Sequence, residues 1–160
     1  MNIPLKNPFK VQSNSEEFNC FGCSSSNEIG LQMAFFDCGN SIEAHWMPKK
    51  HFEGFQNVLH GGVQASLLDE IAAWVVFVKC ETAGVTKALD IRYHAPVYIS
   101  DGKLRLVGKI IKTEEKLAVI HSELYNIDKK LCAEARIEYY IFPLAVAKRK
   151  YMYPGVEAFY

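Results

Sequence analysis

The stretch Leu59-His60-Gly61-Gly62-Val63-Gln64-Ala65-Ser66-Leu67-Leu68-Asp69-Glu70-Ile71-Ala72-Ala73-Trp74-Val75-Val76-Phe77 decides the fold. Apolar side chains fall on nearly every side of a 3.6-residue spiral, which predicts a helix buried on most faces, not a surface helix with one apolar stripe. Two glycines open it and leave backbone N–H groups uncovered at a positively polarised helix N-terminus. Such an end suits developing negative charge. Nine positions after His60 come two adjacent carboxylates, Asp69 and Glu70, within the apolar run. A carboxylate is costly there unless it has partners or a task.

Spacing adds a constraint. With Gly61 as an oxyanion donor and Asp69 as a base or nucleophile, eight residues of helical rise hold the two roughly 12 Å apart. An attacking water and its carbonyl must lie within about 3–3.5 Å of each other. One helix cannot serve both roles at one site, whereas two antiparallel copies can, with Gly61 of one facing Asp69 of the other. Gly62, Ala65, Ser66, Asp69, Ala72 and Ala73 recur at helical intervals and are mostly small. That face admits a second backbone or a thin ligand, so a homodimer is expected. The plainer reading is that a small-residue face is only tight packing and that a lone Asp is solvated.

Bulk properties narrow the field. A chain of 160 residues fits one domain with a real core. Lys plus Arg and Asp plus Glu both total 18, so no net field favours nucleic acid or an anionic membrane. The uninterrupted apolar runs fall short of a membrane span, and residues 1–18 lack the pattern of a secretory signal. Five cysteines cannot all pair, and reduced thiols in a cytoplasmic setting fit them best.

Outward from the helix, residues 1–18 form a polar arm with Pro4 and Pro8. Cys20-Phe21-Gly22-Cys23 follows; a structural zinc site needs four ligands with a second close pair, which is missing, so no metal is expected. No cofactor is expected either. Residues 31–36 and 41–46 alternate as a hairpin across Asp37-Cys38-Gly39-Asn40, and 47–58 is a loop. After the helix, residues 85–94, 103–113, 117–126 and 131–142 read as strands, the last three an antiparallel meander on short turns. Alternation in the first of these puts Thr86, Ala88, Asp90 and Arg92 on one face and Lys87, Leu89, Ile91 and Tyr93 on the other. The parsing is an arm (1–18), one domain (19–145) and a tail (146–160). Two strands, one long buried helix and four strands make an α+β domain: a central helix wrapped by one curved antiparallel sheet of about six strands.

These residues resemble the hotdog-fold thioesterases, in particular the branch related to phenylacetic-acid-degradation thioesterases. The resemblance runs from Cys20 to about Phe142. It rests on Cys20-Phe21-Gly22-Cys23 with Gly30-Leu31, Glu53-Gly54-Phe55, His60-Gly61-Gly62, Leu67-Leu68-Asp69-Glu70 with Trp74, and residues 86–96. It implies the hotdog fold, a homodimer or dimer of dimers, and hydrolysis of an acyl-CoA thioester at a site shared between subunits. Carried over, Asp69 is the catalytic carboxylate, Gly61 N–H holds the thioester oxygen, and His60 shapes the turn. Glu70 is a second candidate carboxylate, and Gly62, Thr86, Asn57 and Arg92 are candidate substrate contacts. The chain departs from several relatives at Gly54, where they carry Asn.

Other functions fit the same fold. A non-catalytic acyl-CoA-binding or sensing module is the principal alternative; a dehydratase or hydratase would carry a different Asp/His arrangement.

Overall fold

A computed structural model describes residues 2–11 and 18–160. Its central element is α1, Gly61–Lys79, and the sequence shows why it forms. His60 is the N-cap, with Nδ1 accepting the Gly62 N–H at 2.9 Å. Gly-Gly weakens a helix interior by up to about 1 kcal/mol per residue. Leu67, Leu68, Ile71, Trp74 and Val75 are fully buried, each worth about 1.5–3 kcal/mol, so burial wins. Of its residues only Gly62 is exposed. By length and composition α1 is apolar enough to cross a membrane; here its apolar faces are spent on the sheet.

One seven-stranded antiparallel sheet wraps the helix, in the order β1-β2-β3-β5-β6-β7-β4. Its strands are β1 Ile3–Pro4, β2 Phe35–Asp37, β3 Ile42–Trp46, β4 Gly84–Tyr93, β5 Leu104–Glu114, β6 Leu117–Tyr125 and β7 Leu131–Ile141. The expected meander (β5–β6–β7) is present and so is the hairpin (β2–β3), although residues 31–34 lie outside its first strand and Asp37 inside it; the hotdog fold is the result. The seventh strand is β1, which the arm contributes by pairing with β2. Gly108 faces α1 because a Cβ there would lie 2.8 Å from Val75 Cγ2; helix and sheet approach closely at that point.

Arm and tail both enter the core. Phe9 lies 5.2 Å from Phe77 and 5.8 Å from Phe159, ring centre to ring centre. Tyr153 is buried and donates to Phe77 O at 2.7 Å. The residues after Pro143 begin with a short helix, α2, Leu144–Tyr151, which sequence reasoning did not anticipate. Tyr160 and Lys79 both bond the buried Asp37 carboxylate, tying the tail and the end of α1 to β2.

Candidate active site

β7 pairs with β4 so that Tyr139 stands opposite Thr86, and both side chains face the middle of α1. There Thr86 Oγ1 donates to Asp69 Oδ1 at 2.9 Å. Tyr139 OH lies 2.7 Å from the same oxygen and 2.9 Å from Asp69 O. Burial, reinforced by the charge of Asp69, pushes the Tyr139 phenol well above its ordinary value, so it stays a donor. Among the described residues no hydrogen bond reaches Asp69 Oδ2. One oxygen is thus held in place and the other is free to take a proton.

A bulge makes this arrangement possible. Tyr93 OH donates to Gly61 O at 2.8 Å, so Tyr93 also faces α1. Thr86 and Tyr93 are seven positions apart and would lie on opposite faces of a regular strand. The register shift between Thr86 and Ala88 absorbs one residue and puts both on the helix side. This corrects the simple alternation, which grouped Thr86 with Asp90 and Arg92.

At the start of α1, His60 O accepts from the N–H groups of Val63 and Gln64. With Gly62 N–H spent on His60 Nδ1, Gly61 N–H is the donor at this end with no partner among the described residues. Gly54 packs directly on His60, since a Cβ would lie 3.1 Å from His60 Cα. A side chain at that position would require His60 to give by a few tenths of an ångström.

The remaining candidates separate. Glu70 points away from Asp69, into a second cluster. Its Oε1 accepts from Trp74 Nε1 at 3.2 Å, and both its oxygens lie 3.7 Å from Cys20 Sγ. Burial, followed by the charge of Cys20, pushes its carboxyl up to about 7. The Cys23 thiol lowers that of Cys20 against the cost of burial, with backbone N–H groups of Cys23 and Gly22 assisting. Asn57 spends its amide on Ser100, donating to Oγ at 2.8 Å and accepting its N–H at 3.0 Å, and so clamps two loops. Arg92 lies on the outer face of the sheet beside Asp90, His121, Glu134 and Arg136, with the sheet between it and Asp69. The structure therefore brings together Asp69 and Thr86, with Gly61, His60 and Gly62 at the far end of the same helix turns, and leaves Asn57 and Arg92 outside. Tyr139 was missed: its link to Asp69 spans 70 positions and depends on strand register.

The chain is similar to known thioesterases. The Thioesterase superfamily profile matches residues 56–133, from the loop before α1 into β7. Over this stretch the chain is similar to the thioesterase superfamily. An uncharacterised protein of Schizosaccharomyces pombe is 31% identical over 102 residues, covering 61% of this chain; the matched stretch spans 58% of that relative's length. The PaaI protein from the Escherichia coli phenylacetic acid degradation operon is structurally similar, with TM-score 0.63, 19% identity, 71% of this chain and 81% of that one covered. So is a Streptococcus pneumoniae hypothetical thioesterase solved with coenzyme A, with TM-score 0.62, 18% identity and coverage of 66% and 83%. Within the matched stretch, α1 carries both the Asp69 carboxylate and the uncovered Gly61 N–H.

Proposed function

We propose that this chain is an acyl-CoA thioesterase whose site is completed by a second copy of itself. The observation that carries the proposal is the Asp69 carboxylate, held at Oδ1 by Thr86 and Tyr139 with Oδ2 left open. Oδ2 takes a proton from water as the water oxygen bonds to the thioester carbon. The oxygen of the tetrahedral intermediate is held by Gly61 N–H. The C–S bond then breaks, and the departing CoA thiolate takes up the proton, giving a carboxylic acid and free CoA.

Support for the second copy comes from β4. It is the terminal strand of the sheet and is mostly exposed, with Val85 on the outer face and Leu89 and Tyr93 partly uncovered on the helix side. An exposed edge of ten residues offers a row of unpaired backbone groups to a second copy. Pairing β4 with its symmetry mate sets two α1 helices antiparallel and brings Gly61 of one toward Asp69 of the other, as the roughly 12 Å separation within one helix requires. A dimer of such dimers is compatible with the same edge contact. Coenzyme A in the Streptococcus pneumoniae protein supports the choice of thioester. All five cysteines stand as free thiols, which supports a reducing, cytoplasmic setting.

The test is a panel of aryl and aliphatic acyl-CoAs, following release of free thiol, with Asp69→Asn as control. Turnover that disappears in the variant supports the proposal. Binding of acyl-CoA without turnover in the parent assigns the chain to the sensing-module alternative.

A further inference from the structure

The second cluster on α1 is directed away from Asp69 and has its own chemistry. Cys20 and Cys23 lie on a tight turn in which Ser24 N–H returns to Cys20 O at 3.1 Å. The Glu70 carboxylate enters between them from α1, and a donor atom from each of the three residues lies within 4.8 Å of the other two. The Cys20–Glu70 separation fits a common centre. For a metal bound tetrahedrally at about 2.3 Å to sulfur and about 2.0 Å to oxygen, sulfur and oxygen lie roughly 3.5 Å apart. Cys20 Sγ is 3.7 Å from each Glu70 oxygen. The carboxylate thus presents both oxygens to the sulfur side.

Two further observations bear on an ion. Among the described residues Glu70 forms no ion pair, although its carboxylate is partly enclosed by Trp74 and the cysteine turn; a buried carboxylate normally has a cation or is neutral. The turn is also shaped to admit it. A Cβ on Gly22 would lie 2.2 Å from Glu70 Cδ, so only glycine lets the carboxylate reach the sulfurs. The cluster opens onto a cleft of about 240 Å³ lined by Phe9, Phe18, Ala73, Phe77 and Met152.

We infer that Cys20, Cys23 and Glu70 form a binding site for a thiophilic divalent metal ion, zinc by ligand type. Two thiolates and a carboxylate select zinc over the hard oxygen-seeking cations. The second Glu70 oxygen or a water from the cleft completes four-coordination. Sequence spacing did not reveal the site because its third ligand is supplied by the helix, 47 positions after Cys23. The ion would pin the cysteine turn to the middle of α1, and metal binding there is folding free energy.

The full chain, reduced, stripped of metal and titrated anaerobically with Co²⁺, tests this without any measurement of turnover. The expected result is saturation near one Co²⁺ per chain, with a near-ultraviolet thiolate-to-cobalt charge-transfer band that Zn²⁺ abolishes by displacement. Cys20→Ser combined with Cys23→Ser removes the band. Glu70→Gln keeps it while weakening affinity by at least about tenfold. Gly22→Ala, which leaves all three ligands in the sequence, weakens affinity in the same way by pushing the carboxylate aside. Absence of the band in the reduced parent overturns the inference even where the variants fail to fold, and so does an unchanged band in a folded double-cysteine variant.

Discussion

Tyr139 holds Asp69 twice, with its hydroxyl 2.7 Å from the carboxylate Oδ1 and 2.9 Å from the main-chain oxygen of the same residue. A single phenol thus fixes the side chain and the helix turn that carries it. Tyr139→Phe removes the donor while keeping the buried ring. A hydrogen bond to a charged group is worth about 1.5–3 kcal/mol. We expect kcat to fall roughly tenfold to a hundredfold with KM little changed. Steady-state kinetics on the folded variant check this, and a rise in KM alone would remove Tyr139 from the site.

Asp69→Asn keeps size and shape but removes the proton acceptor. The expected loss in kcat is about 10²–10⁴-fold, or about 3–5.5 kcal/mol of barrier. Glu70→Gln, directed into the cysteine turn, is expected to spare kcat in metal-replete protein. Turnover lost with Glu70→Gln and kept with Asp69→Asn would exchange the two assignments.

Edge pairing through β4 makes its own prediction. Leu89→Lys places a charge on the exposed terminal strand, a device that natural edges use against pairing. Light scattering should show a smaller particle than the parent, and specific activity should fall on dilution. Full activity in a compact monomer would end the shared-site scheme.

Asp37 sets a stability dependence on pH. Burial alone would raise its carboxyl, but hydrogen bonds from Lys79 and Tyr160 outweigh that and hold it below the usual range. A lowered native value means the stabilisation is present above the unfolded-state value near 3.9 and is lost as pH falls through the native one. Asp37→Asn should therefore lower stability by roughly 1–3 kcal/mol at neutral pH. Urea melts at descending pH should show the gap closing below about pH 4. A gap that persists into strong acid would assign the loss to packing.

Close approach of helix and sheet is also testable. A methyl on Gly108 meets Val75 Cγ2 at 2.8 Å and Ile71 at 3.4 Å, and both neighbours are fully buried. Overpacking of this kind costs about 1–3 kcal/mol, so Gly108→Ala should lower the thermal midpoint. An unchanged midpoint would mean that β5 yields more readily than its pairing suggests.

How much of this was legible depended on the range of the signal. The helix was readable because its apolar residues are local and periodic, and the observed α1 begins at the predicted glycines. The meander was readable from turn residues at short intervals. Tyr139 was not, because nothing local distinguishes it from Ile137 or Ile141 on the same face of β7; only its register against Thr86 does. The face of Thr86 was misassigned because one bulged residue inverts the alternation on either side of it. Adjacency in the sequence groups Glu70 with Asp69, whereas neighbours on a helix point about 100° apart. Arm and tail carry too few regularly spaced residues to show that Phe9, Tyr153 and Phe159 are core.

Asp69 and Glu70 share a peptide bond, yet one is gripped by the far end of the sheet and the other by the cysteine turn near the start of the chain. The helix is therefore clamped like a shaft keyed on two sides. Turning α1 to improve the aim of one carboxylate spoils the aim of the other. Insertions or deletions within α1 on either side of this pair would disturb the phase of the two keyed groups relative to the helix ends, so variation in this protein is expected to alter side chains along α1 and to leave its length alone.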